Sequence, residues 1–427
     1  GHGGWRGHRL PSILEIGRQT MAFDMPRANK PEDVGLSSQR LQRIRDTLQA
    51  DVDKGAVPGA VMLIARRGQI ASLEALGYRD REDGAVMRPD TIFRIASMTK
   101  PVTSVAAMML AEEGKLLIAD PVSRYIPAFA NLKVATNSDD ATAKTLAVEP
   151  PRREMTVQDL LRHTSGLTYA HLTGPHIKQA YEAANVVDER QNNAAMAENL
   201  GRVPLAYQPG TTWQYGVSTD MLGRVVEVAS GMDLDRFIAE RICKPLGLTS
   251  TSFGPIEGSR AAQPQIDSAS GKRPPMRDPS VRPIWISGGS GLLSTAGDYV
   301  RFCQMLLNGG ELAGARLLAP ATVALMTSDH LTPATRRSPS TPILFGALAP
   351  LPELGLGFGL GFAVRTHSGR NPSPGSVGDF FWSGVTGTNF WIDPQQELIA
   401  ILLMQAPLQR LHYRYLMRTM VYQAIVE

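Results

Sequence analysis

With 427 residues the chain is long enough to bury a large core and to divide into two or three structural units. A hydrophobic fraction of 43% beside 20% charged residues excludes a disordered chain; the net charge of +4 is scattered in pairs such as Arg66-Arg67, Arg152-Arg153 and Arg336-Arg337, leaving no basic stripe for nucleic acid. The two cysteines, Cys243 and Cys303, are too few for a disulfide framework and lack metal-ligand spacing, and no apolar run reaches the ~18 residues of a membrane span.

Residues 1–29 are rich in Gly and Arg without an apolar signal core, so they read as a flexible arm with no visible secretory signal; the sequence leaves the compartment open, with the cytoplasm favoured. Behind Ser37 as a cap, Leu41, Ile44, Leu48 and Val52 recur at helical spacing. The segment "AVMLIARRGQIASLEALG" then predicts two strands turning at Arg67-Gly68, and "TIFRIAS" a short extended run into a helix that Gly114 ends. From 120 to 283 the signals are helical or loop-like. Thr156 and Asp159 form a capping box, 131–155 reads as an exposed loop, 168–203 as a helical flap, and "STDMLGRVVEVAS" as a helix capped by Ser218 and closed by Gly231. After a Pro-rich connection at 255–283, Thr295 caps another helix and 328–356 is again loop-like. Strand signals return in "GFGLGFAVR", "DFFWSG", "TNFWID" and "ELIAILLMQ", and a helix with Leu411, Met417, Val421 and Ile425 on one apolar side closes the chain.

Strands at both ends with helices between them predict an α+β protein: one mixed, mostly antiparallel sheet built from 30–119 and 284–427, with 120–283 as an all-helical insert carrying surface loops. Short turns between successive strands favour the antiparallel pairing.

Chemistry concentrates in "IASMTKP". Ser97 stands three residues before Lys100 at the start of an apolar helix, nearly one turn apart, so hydroxyl and amine share a face. Of nine lysines, only Lys100 has a serine at this offset. A capping serine followed by a solvated lysine would give the same pattern. Tyr215, in "QPGTTWQYGVS" between a Pro-Gly turn and a helix start, is either a phenol presented to a cleft or a buried aromatic. A Ser-His-Asp hydrolase would normally show G-x-S-x-G, which is missing; "GGSGL" lacks the last glycine, and His163 follows a helix end as a dipole partner would.

Taken in order, Ser97-x-x-Lys100, "PGTTWQYG", "GGSGLLSTAGDYVRF" and "FFWSGVTGTNFWIDP" resemble the class C β-lactamases and penicillin-binding proteins, and above all their esterase branch, the family VIII carboxylesterases. The resemblance covers 30–425 and implies an α/β/α sandwich of the β-lactamase/transpeptidase type. It further implies Ser97 as acylated nucleophile, Lys100 as its activating neighbour, Tyr215 as proton relay, and an oxyanion hole of the Ser97 and Val385 backbone N–H groups. Trp382-Ser383-Gly384 fall where the lactamases carry Lys-Thr-Gly, as a substrate-binding strand. No lysine follows Lys272, and Tyr215 is followed by Gly216 and Val217 rather than by the family's asparagine. The expected substrate is therefore a small neutral, short-chain ester, with weak cephalosporin turnover at most. Acyl transfer to an alcohol and a non-catalytic penicillin-binding-like protein are the alternatives. No cofactor, metal, nucleic-acid or membrane partner is expected, and the sequence leaves the oligomeric state open.

Overall fold

The computed structural model describes residues 25–140, 142 and 144–427, so most of the expected N-terminal arm lies outside the described residues. Helix α1 (Ser38–Asp53) starts where Ser37 Oγ accepts the Arg40 N–H, and buries Leu41, Ile44, Leu48 and Val52. Strands β1 (Gly59–Arg66) and β2 (Gln69–Asp80) follow. Their turn uses Arg67 at φ 51° and Gly68 at φ 74°, left-handed values that cost glycine nothing. After β3 (Ala85–Val86) the chain leaves the sheet and comes back only with β4 (Leu356–Phe358), β5 (Ala363–Arg365), β6 (Phe380–Ser383), β7 (Asn389–Asp393) and β8 (Leu398–Leu403).

These strands form one sheet in the order β4-β5-β6-β7-β8-β1-β2-β3. Each neighbouring pair is antiparallel, so the expected mixed sheet is fully antiparallel. The seam between chain ends is β1 against β8, from Val61 opposite Leu403 to Arg66 opposite Leu398. Each residue of β1 and β8 is buried, which requires cover on both faces. Helix α1 lies on β2 and on the last helix, while the helix at Ala296–Leu307 lies on β1 and β8. Apolar strands wrapped this way make the α/β/α layering.

Between the two strand sets come α2 (Thr99–Glu112), α3 (Val157–Leu161), α4 (Pro175–Ala183), α5 (Asn193–Leu200), α6 (Ser218–Ser230), α7 (Leu234–Ile238) and α8 (Ala296–Leu307). Thr156 and Asp159 make the reciprocal capping bonds, and Thr295 Oγ1 caps α8 through Asp298 N–H. Helix α2 is buried from Thr99 to Leu110, as an apolar circumference demands. Ser218 departs from expectation: it is the first residue of α6, and its hydroxyl bonds Ser165 Oγ at 2.8 Å instead of capping. The stretch 328–356 is also more ordered than its prolines suggest, holding α10 (Ser340–Phe345) soon after α9 (Pro320–Met326). In the closing helix α11 (Arg410–Tyr422), Leu411 is only half-buried, because Tyr413, Arg414, Met417, Arg418 and Val421 take the inner face. Two of those are arginines, invisible to an apolar-periodicity count. No helix among the described residues is long and apolar enough to cross a membrane.

Candidate active site

The short strand Phe93–Arg94 pairs with Leu293–Ser294, and one 3-10 turn, Ala96–Met98, joins it to α2. Ala96 holds φ at +46°, an uncommon value for a residue with a Cβ and the kind of local strain found where a side chain must be presented. It turns Ser97 onto the first turn of a buried helix. Ser97 is 8% exposed and Lys100 only 1%.

Lys100 Nζ donates to Ser97 Oγ at 3.3 Å, to Tyr169 Oη at 3.3 Å and to the Gly289 carbonyl at 2.8 Å. It also stands 4.7 Å from the centre of the Tyr215 ring. Burial works against the ammonium, but the oxygens of Tyr169 and Tyr215 and the carboxylate of Asp220 outweigh it and raise the Lys100 pKa. Lys100 is therefore charged at neutral pH. For Tyr169, burial is the largest influence and pushes the phenol up, against the pull of Lys100, so it stays protonated.

Tyr169 and Asp220 carry weight in the cluster and have no motif signal of their own. Tyr169 follows the "HTSGL" turn and reaches Lys100 only through the fold. Asp220, fully buried, accepts Ser287 Oγ at 2.5 Å and the Gly289 N–H at 3.1 Å, fixing the turn whose carbonyl holds Lys100. Its position as the third residue of α6, in the first turn where acids are common, hides it in the sequence.

Tyr215 is 8% exposed, with the Trp382 ring 5.4 Å and the Phe345 ring 5.2 Å from its own. Trp382 is 1% exposed and donates its indole N–H to Tyr215 Oη at 3.3 Å. Its plane is packed against Phe345 and Phe358, so its polar atom meets the Tyr215 phenol rather than open cleft. This differs from the substrate contact expected of Trp382 as part of the substrate-binding strand. His163, 1% exposed, packs its ring 5.0 Å from that of Tyr215. Burial, and then Lys100, hold its pKa well below 6.5, and among the described residues its Nδ1 has no partner. Among the described residues no carboxylate bonds it, as a triad base would require.

At the end of β6, a Cβ on Gly384 would lie 2.5 Å from the Ile95 carbonyl, which explains the glycine. Thr388 Oγ1 donates to the Ile95 carbonyl at 3.1 Å and Thr386 Oγ1 to the Arg94 carbonyl at 2.8 Å, stapling the 384–388 turn beside the Ser97 turn. Ser383 closes the strand opposite Asn389. The Ser97 and Val385 N–H groups have no acceptor among the described residues, as donors reserved for a developing oxyanion would require. Among the described residues, no group of three or more His, Cys, Asp or Glu is placed to hold a metal ion.

The chain is similar to known proteins over most of its length. Esterase EstB of Burkholderia gladioli is 32% identical over 372 residues, 81% of this chain and 85% of its own length. Lovastatin esterase of Penicillium rubens is 31% identical over 383 residues, 85% of this chain and 92% of its own. Among solved structures, EstCE1, a hydrolase with promiscuous acyltransferase activity, aligns with a TM-score of 0.74 at 26% identity, covering 91% of this chain and 98% of that one. The Beta-lactamase family model matches residues 44–414, a span that takes in Ser97, Tyr215 and the β6 strand alike; with esterases among its relatives, the chain belongs to the beta-lactamase family.

Proposed function

We propose that this protein is a serine carboxylesterase that hydrolyses neutral carboxylic esters, short-chain ones among them, through an acyl-enzyme on Ser97. The observation that carries the reading is the buried ammonium of Lys100, which holds Ser97 Oγ and borders both tyrosines. Ser97 Oγ attacks the ester carbonyl and its proton passes to Tyr215 Oη acting as a phenolate, whose negative charge the Lys100 ammonium and the Trp382 N–H stabilise until the proton arrives. The Ser97 and Val385 N–H groups hold the tetrahedral oxyanion, the alcohol leaves with the proton from Tyr215, and water, activated by the same pair, releases the acid. Ser383 and Gly384 border the substrate along β6. A neutral substrate is supported by the absence of any lysine after Lys272, which leaves β6 without the family's lysine, while the buried Arg414 guanidinium beside it is engaged with the Gly384 carbonyl at 2.9 Å; cephalosporin turnover is correspondingly weak.

Transfer of the acyl group to an alcohol uses the same intermediate, and the similarity to EstCE1 supports it as a second reading. Ser97→Ala tests the nucleophile. It should abolish p-nitrophenyl acetate turnover and covalent labelling by a serine-directed phosphonate, and persistent labelling would remove Ser97 from the role. Adding an alcohol to the wild type and measuring transester against free acid separates the two readings.

A further inference from the structure

The turn that steadies Lys100 has a second face. Ser287 and Gly289 are tied to Asp220, and Gly289 accepts Lys100, while Ser287, Ser290 and Gly291 also line a cavity of about 740 Å³. That is the size of a site for a drug-sized molecule, far more than an acetyl group needs. Its walls come from the flap, through Glu189 and Arg190, and from the Pro-rich connection, through Met276, Val281, Ile284 and Trp285. Val281 is 59% and Ile284 60% exposed, an apolar surface that an apolar ligand would take out of water.

The charges around the cavity cancel. Arg190 pairs with Asp188 at 2.8 Å and Arg282 with Asp235 at 2.6 Å. Arg277 donates to the Val281 and Gly291 carbonyls, and its charge is opposed by Glu189 and Asp278. Arg190 and Arg282 are paired with carboxylates and Arg277 is engaged with two carbonyls, so an entering carboxylate meets cations already occupied, whereas an uncharged group loses nothing.

We propose that this cavity receives the larger half of the ester, a bulky, neutral, mainly apolar acyl or alcohol group, and that Val281 and Ile284 set the preference for it. The inference rests on the esterase reading and deepens it. Because both side chains are more than half exposed, Ile284→Arg and Val281→Arg leave the fold intact while charging the wall. Two pairs of esters test it: p-nitrophenyl acetate against p-nitrophenyl cyclohexanecarboxylate for the acyl side, and ethyl acetate against cyclohexylmethyl acetate for the alcohol side. The bulky-to-small ratio of kcat/KM should fall at least 10-fold in one pair for both variants. An unchanged ratio in both pairs overturns the cavity assignment while leaving the esterase reading standing. Calorimetry of the bulky esters with Ser97→Ala gives a readout free of turnover. Saturable binding that Ile284→Arg abolishes supports the cavity even in a protein that hydrolyses nothing, and binding unaffected by Ile284→Arg, or absent, overturns it. Failure of wild type to turn over any ester, with no label on Ser97, refutes the esterase reading alone.

Discussion

Replacing Trp382 by Phe removes one donor, the indole N–H that Tyr215 Oη accepts at 3.3 Å, and keeps an aromatic ring against Phe345 and Phe358. A neutral hydrogen bond contributes about 0.5–1.5 kcal/mol net. Where that stabilisation goes to the charged phenol oxygen that takes the Ser97 proton, its loss should lower kcat/KM about 2- to 10-fold. The assay is kcat/KM for a neutral aryl ester, with thermal denaturation to establish that the protein is folded. An unchanged kcat/KM, or a loss confined to KM, would refute the reasoning and make Trp382 a packing or substrate-contact residue.

Other parts of the molecule give sharper stability tests. Asp379 lies between Arg365 at 2.8 Å and Arg418 at 3.0 Å, with all three side chains at most 2% exposed, so Asp379→Ala strands two buried guanidiniums and should cost about 3–5 kcal/mol by denaturant unfolding; a loss below 1 kcal/mol would contradict this. For Asp159, burial opposes ionisation but hydrogen bonds from Arg153, the Thr156 N–H and Arg162 hold its pKa below the usual carboxylate range. Its contribution is therefore complete above the unfolded value of ~3.9 and lost as pH falls through the folded one, so the melting-temperature gap between wild type and Asp159→Asn should be widest near neutrality and close toward pH 2. A gap constant with pH would assign the effect to shape. Gly384→Ala drives a methyl against the Ile95 carbonyl and should lower kcat at least 10-fold while the far-ultraviolet spectrum is unchanged; wild-type kcat would mean that the β6 turn has slack beside Ser97.

The elements easiest to read were those whose signal is local. Ser37 with Leu41, Ile44, Leu48 and Val52 predicts α1 because cap and periodicity lie within one segment, and the Arg67-Gly68 hairpin is a two-residue problem. Ser97 and Lys100 were legible for the same reason, since one helical turn brings them together. Tyr169 and Asp220 meet Lys100 and the Gly289 turn across gaps of 69 residues each, where no spacing rule operates. Ser218 shows the converse error. It has the composition of a cap, yet a tertiary partner, Ser165, took its hydroxyl. The role of Trp382 was hidden too: composition makes it a hydrophobic plate, and only the fold aims its one polar atom at Tyr215.

The seam at the middle of the sheet also governs how the molecule comes into being. β1 finds its partner β8 only after more than three hundred intervening residues have been made, so the β1–β2 hairpin waits with one buried-type edge unpaired. The helix that follows Ser97 can wind early, but the β6 turn that carries Val385 joins it through the same late-arriving strands. Assembly of the candidate site thus waits for the completed sheet, and a ribosome-bound fragment ending before residue 398 should present a sticky strand edge and an incomplete site, a natural client for chaperones that shield β edges.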